Sequence, residues 1–142
     1  MVEKLETTIE VIFHATEEPN KIVESFFELF EIPEKEFSKK ELTGHFDNPI
    51  TVLNVKISKK KAKDFFQKLI SKIPKDQIEE FIDDIENRIQ DSTLHMRVSK
   101  QEMINGNLKL QEKDAVKLKI ITPIYTKKDI VKTYVKLLRE NI

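Results

Sequence analysis

The chain has no cysteine, so disulfides, zinc–thiolate sites and thiol chemistry are excluded. That suits a reducing compartment, and a cytoplasmic location is the expectation. No apolar run approaches the roughly 20 residues of a membrane-crossing helix. Met1-Val2-Glu3-Lys4 has no apolar core of a signal peptide, so no membrane partner is expected. There are only two glycines, far apart, which leaves no Gly-rich phosphate cradle and no Gly-x-Ser-x-Gly elbow. The three histidines, His14, His45 and His95, lack the spacing of metal ligands along a helix. His14 and Glu17 could share a metal in principle, but a strand-end histidine bonded to neighbouring backbone is the simpler reading. The acids lie at the spacing of a wet helix face, not as an acid/base pair held in a pocket. No catalytic residue, metal or cofactor is expected, and an enzyme is the poorer hypothesis.

What is present is charge, high and balanced. Asp, Glu, Lys and Arg make up 35% of 142 residues, with a formal net charge of zero. The balance hides a segregation: residues 100–142 carry ten Lys or Arg against five acids, net +5, and the first 99 are net −5. Such asymmetry points to an anionic partner on one side. The length can bury a core without staples, and one domain over residues 1–142 is expected.

Residues 7–15 alternate, with Thr7, Ile9, Val11 and Phe13 on one side, as in a half-buried strand. Thr16 stands where a helix N-cap would, before Glu17, Glu18 and Pro19. Ile22, Val23, Phe26, Phe27 and Phe30 then form one apolar stripe that Pro33 ends. Residues 37–43 and 50–57 read as two strands joined by the Asp47-Asn48-Pro49 turn, an antiparallel hairpin. Ser58 caps a second helix with Ala62, Phe65, Phe66, Leu69, Ile70 and Ile73 inward. Its opening lysines, Lys59 to Lys61, oppose the helix dipole and read as a solvated face or an anion contact. A third helix, with Ile78, Phe81, Ile82, Ile85 and Ile89 inward, has an acidic outer side that would repel nucleic acid.

Residues 92–99 alternate again, and 100–105 form a helical turn closed by Gly106. Residues 108–110 read as a short strand and 115–124 as a longer one. Thr126 caps a last helix with Ile130, Val131, Tyr134, Val135, Leu137 and Leu138 inward. The pattern predicts an α+β two-layer sandwich, an antiparallel or mixed sheet with amphipathic helices on one face. The other face would carry some of Asn54, Lys56, His95, Arg97, Lys117 and Lys119. It could be solvated, a dimer face or a nucleic-acid face.

The hairpin tip, Gly44-His45-Phe46-Asp47-Asn48-Pro49-Ile50, is unusual in carrying a histidine, an aromatic and an amide together. An exposed Phe46 beside His45 and Asn48 would stack on an unpaired base. Alternatively Phe46 folds back under the hairpin and His45 only caps the turn. His14-Ala15-Thr16-Glu17 after the first strand, this tip, and Lys100-Gln101 after a later strand together resemble an archaeal family of small proteins described as RNA-binding and as candidate exosome subunits. The resemblance runs from about Thr7 to Leu138. It implies a fold like that of the large-subunit ribosomal protein that binds 5S rRNA. It also gives His14, Thr16, Glu17, Gly44, Pro49 and Gln101 as motif positions. The chain departs from the family at Phe46, where Tyr is commoner, at Asp47, where glycine is common, and at Ser99, where Asp is expected. Non-catalytic RNA binding is the first expectation, with His45, Phe46 and Asn48 on bases and Arg97, Lys100, Lys109, Lys117 and Lys119 on phosphates. A homodimer or an adaptor in an RNA-processing complex is the second.

Overall fold

The computed structural model describes residues 4–44, 48–123 and 126–142. Six strands form one sheet: β1 (Glu6–Phe13), β2 (Ser38–Thr43), β3 (Pro49–Ser58), β4 (Ile89–Gln90), β5 (Thr93–Ser99) and β6 (Ala115–Ile121). Their order is β2-β3-β1-β6-β5-β4, and every neighbouring pair is antiparallel. Five helices cover one side: α1 (Pro19–Phe30), α2 (Lys59–Lys72), α3 (Lys75–Asp83), α4 (Lys100–Ile104) and α5 (Ile130–Glu140). The architecture is the α+β two-layer sandwich, with the antiparallel sheet of the two alternatives.

The alternation in β1 carries the layer assignment. Ile9 and Val11 are completely buried, while Thr8, Glu10 and Ile12 are half-buried on the other face. Register extends that division across the sheet. Ile9 lies opposite Val55 on one side and Leu118 on the other, and Leu118 lies opposite Met96. These residues meet an aromatic cluster in which Phe30 of α1 stands 4.5 Å from Phe65 of α2 and Phe26 stands 5.2 Å from Phe37, the residue before β2. Fully burying each such ring contributes about 1.5–3 kcal/mol. Tyr134 of α5 is the largest fully buried side chain. Its hydroxyl sits between the Ser92 carbonyl (2.6 Å) and the Ile120 carbonyl (3.0 Å), tying α5 to the end of the sheet.

Several expectations need correction. Thr16 does not cap α1; Glu18 occupies that position, without a side-chain cap, and Pro19 begins the helix. Phe27, assigned to the buried stripe, is 56% exposed. It lies 100° round the helix from Phe26, on the edge of a stripe that Ile22, Val23, Phe26 and Phe30 already fill. Helix α3 stops at Asp83; Ile85 falls in a 3-10 turn, and Ile89 enters β4. Residues 108–110 make a single bridge, Leu110 to Val98, in place of a strand. Thr126 caps a 3-10 turn (Lys127–Asp129), and its hydroxyl bonds the Asp129 carboxylate before α5 begins. Strand β6 ends at Ile121, and Ile124 lies outside the described residues. No helix among the described residues is long and apolar enough to cross a membrane.

Candidate nucleic-acid interface

The sheet face that no helix covers is built in rows. Arg97 lies opposite Lys117, Lys117 opposite Glu10, and Glu10 opposite Asn54. The next row is His95, Lys119, Thr8 and Lys56. The six residues expected on this face are therefore all there. The positive charge is concentrated on β5 and β6. On β1, Glu10 reaches Lys117 at 3.9 Å and Glu6 reaches Lys56 at 3.5 Å. Lys119 faces His95 and Thr8 across the strands, not an acid. Arg97 donates to the Glu112 carbonyl at 3.1 Å, which holds its guanidinium over the sheet edge.

Burial pulls the His95 imidazole below its ordinary 6.5, the charges of Lys119 and Arg97 add to this, and Asp91 opposes it. The unfolded chain therefore takes up this proton near pH 6.5 and the folded chain only lower. Between those values the unfolded state holds more protons, so lowering the pH destabilises the fold there. Stability from denaturant melts should decline as pH drops below about 6.5, and His95→Gln should flatten that part of the curve. An equal slope in both proteins would assign the effect to other groups.

The motif segments converge on one end of the sheet. Strand β1 ends there at Phe13, β3 begins opposite it, β5 ends at Ser99, and β6 begins at Ala115 across from Ser99. His14 to Glu17 form a turn closed in both directions. The Glu17 N–H donates to the His14 carbonyl at 3.0 Å, and the His14 N–H donates to Glu17 Oε1 at 2.9 Å. This closure accounts for the three-residue spacing of the motif. Thr16 and the His14 side chain are exposed on the turn.

Lys100, the first residue of α4, is only 3% exposed. Its ammonium donates to the Ile12 carbonyl (2.7 Å) and pairs with Glu17 Oε2 (2.8 Å) and Asp114 Oδ1 (2.9 Å). It also stands 5.1 Å from the centre of the Phe13 ring. Its three donors thus have three internal acceptors, so Lys100 belongs to the architecture and not to a phosphate-contacting surface. Ser99 accepts the Glu102 N–H at 3.1 Å and caps α4, a role that Ser and Asp fill equally well. Gln101 is exposed on the first turn of α4, and Gly106 ends the segment with φ +86°.

Lys109 is exposed at the same end, and its carbonyl accepts the Ser99 N–H at 2.8 Å. Gly44 and Asn48 close the base of the β2–β3 hairpin through a 2.7 Å backbone bond. A Cβ on Gly44 would come within 2.5 Å of Ile50 Cδ1, the movable tip of a half-buried side chain, and within 3.3 Å of the Asn48 carbonyl. Asn48 and Pro49 are exposed; His45 and Phe46 lie outside the described residues. From β3 to β5 is three strand spacings, about 14 Å, so the hairpin base and Lys100 share an end without touching.

The positive last third does not form one surface. Lys117 and Lys119 belong to the open face, whereas α5 sits in the helix layer, its Arg139 paired with Glu79 of the acidic α3. Sequence reasoning missed two acids, Glu10 and Asp114. Glu10 was available from the β1 alternation, which puts it on the polar face; nothing local marks Asp114 as a partner of Lys100.

Similar proteins share this frame. An RNA-binding protein of Pyrococcus abyssi is 31% identical over 140 residues, covering 93% of this chain and 89% of its own. An uncharacterized protein of Methanocaldococcus jannaschii is 32% identical over 128 residues, covering 81% of this chain and 85% of its own. A crystal structure of an Archaeoglobus fulgidus protein superposes with a TM-score of 0.81 at 26% identity, over 93% of this chain and 97% of that one. A Sulfolobus solfataricus protein gives 0.75 at 28% identity, over 96% and 99%. The family model described as RNA binding matches residues 6–122, a stretch that includes all six strands, the open basic face and the motif end, and the chain belongs to that family.

Proposed function

We propose that the protein binds RNA without catalysing a reaction on it, through the open face of β5 and β6 and the adjoining motif end of the sheet. The observation that carries this reading is the block of Arg97, Lys117 and Lys119 on the one sheet face without helices, with the acidic α3 in the opposite layer. Arg97, Lys117, Lys119 and Lys109 contact phosphates. Asn48, with His45 and Phe46 of the hairpin tip, contacts bases. The Pyrococcus abyssi relative, named as an RNA-binding protein, supports the reading. The resemblance of the motifs supports an RNA of archaeal processing or degradation, the exosome included, or a ribosome-related RNA of the cytoplasm, as the partner.

Titration of structured and single-stranded RNA at several salt concentrations tests this. Four phosphate contacts at about 0.7–0.9 each give a log–log salt slope near −3. Absence of binding at low salt would remove the proposal. Glu10 competes with phosphate for Lys117, so Glu10→Gln should tighten binding. An exposed pair is worth about 0.2–1 kcal/mol, which sets the gain at up to about fivefold. Weaker binding by that variant would mean that Glu10 orients Lys117 for its ligand.

A second reading is a homodimer through the same face, acting as an adaptor in an RNA-processing complex. It is favoured by apolar residues on the open face: Ile12 opposite Val52 near the motif end, and Leu42, which is 45% exposed. Light scattering across a concentration series decides it; a monomer throughout sinks the dimer.

A further inference from the structure

We propose that Lys100 is a positioning residue for the RNA-contacting end of the sheet, a buried cation that holds the His14–Glu17 turn and the entry to β6 in place without touching RNA. Its effect on affinity rests on the RNA-binding reading above; the positioning itself rests on geometry. The three acceptors of Lys100 come from separate stretches: the end of β1 at Ile12, the motif turn at Glu17, and Asp114 immediately before β6. No other described side chain links all three. A buried ion pair is a poor source of stability compared with an apolar side chain of like size, so its presence calls for another explanation.

Asp114 supplies one. Its φ is +51°, a left-handed conformation that side-chain-bearing residues adopt at a cost. The carboxylate that Lys100 holds belongs to this residue, so the cation secures the turn from which β6 departs with Lys117. On the preceding stretch, the Gln111 N–H donates to the Arg97 carbonyl at 3.0 Å, and the Glu112 carbonyl accepts from the Arg97 guanidinium. Arg97 and Lys117, the two open-face cations nearest the motif end, are thus aligned by a segment whose C-terminal end Lys100 fixes. On the other side, Glu17 uses one carboxylate oxygen for Lys100 and the other for the His14 N–H. Loss of the cation leaves that carboxylate with one partner, and the motif turn is released along with the β6 entry.

Lys100→Met keeps the length and removes the charge. Amide exchange, melting temperature and RNA affinity at two salt concentrations are measured on it and on wild type. The expected result has three parts. Exchange of the His14 amide accelerates about tenfold or more while Ile9 and Val11 stay protected. RNA affinity falls about tenfold. The salt slope stays as in wild type, because no phosphate contact has been removed. A slope reduced by about 0.7–0.9 would overturn the proposal in favour of a direct phosphate contact. Unchanged His14 exchange would overturn it as well. If wild type binds no RNA, the RNA-binding reading fails, yet the exchange data still decide whether Lys100 positions these segments. Should Lys100→Met fail to fold, Glu17→Gln and Asp114→Asn each keep an acceptor oxygen at the partly exposed side of the cluster. Faster His14 exchange in Asp114→Asn, which leaves the bond from the His14 N–H to Glu17 untouched, supports the proposal, and wild-type exchange and affinity in both variants overturn it.

Discussion

Replacing Arg97, Lys117 and Lys119 together by Ala is expected to weaken binding to every RNA by on the order of 100-fold or more. Each charge-assisted contact is worth about 1.5–3 kcal/mol at most, and three are lost together. The salt slope should flatten by about 2 to 3, since each released phosphate contact removes about 0.7–0.9. The loss should be uniform across sequences, because phosphates carry no sequence information. The fold should stay intact: Arg97 and Lys119 are exposed and Lys117 pairs with Glu10 only at 3.9 Å. The variant also removes two of the charges that depress His95. A melting temperature near wild type, together with lost affinity and a flattened slope, is the full expected result. Retained affinity would move the interface off the open face.

The second large effect is on stability. Tyr134→Ala should cost about 3–5 kcal/mol, the range for removing a buried aromatic side chain. For a chain of this length that lowers the melting temperature by roughly 10–20 °C. Tyr134→Phe keeps the ring and removes only the hydroxyl between the Ser92 and Ile120 carbonyls, so about 1–2 kcal/mol should be lost. Burial raises the pKa of this phenol, so the hydroxyl remains protonated at ordinary pH. RNA affinity of the folded Tyr134→Phe protein should match wild type, since the side chain lies wholly in the helix layer. If Tyr134→Phe proved as costly as Tyr134→Ala, the hydrogen bonding of that one hydroxyl would outweigh the packing.

How far the sequence could be read depended on the distance over which each interaction acts. Strands β1, β5 and β6 were legible because alternation is local, and the same alternation located Arg97, Lys117 and Lys119 on the uncovered face. Helix α3 was read too long because Ile78, Ile82, Ile85 and Ile89 keep a helical interval after the backbone has changed. Neither glycine nor proline marks its end; the Asn87 amide bonding the Asp84 carboxylate within the following turn is weaker punctuation. Phe27 was misplaced because its neighbours saturate the buried stripe, a limit set by packing. Lys100 was read as a phosphate ligand because lysines are ordinarily exposed. Its burial depends on Glu17, 83 residues away, and on Asp114 in a different connection. Nothing in a linear pattern brings those three together.

The position of β1 also governs the order in which the open face is assembled during synthesis. The first strand of the sequence lies inside the sheet, between β3 and β6, and its Glu6 pairs with Ile121. A nascent chain can close the β2-β3-β1 half once about 60 residues have emerged, since those contacts are near in sequence. The inner edge of β1 then remains unpaired until β6 arrives, a template for wrong partners. The basic half of the open face belongs to the strands that come last. An emerging chain therefore presents Glu6 and Glu10 well before Arg97, Lys117 and Lys119, and the cationic half of the open face is complete only after β6 has paired.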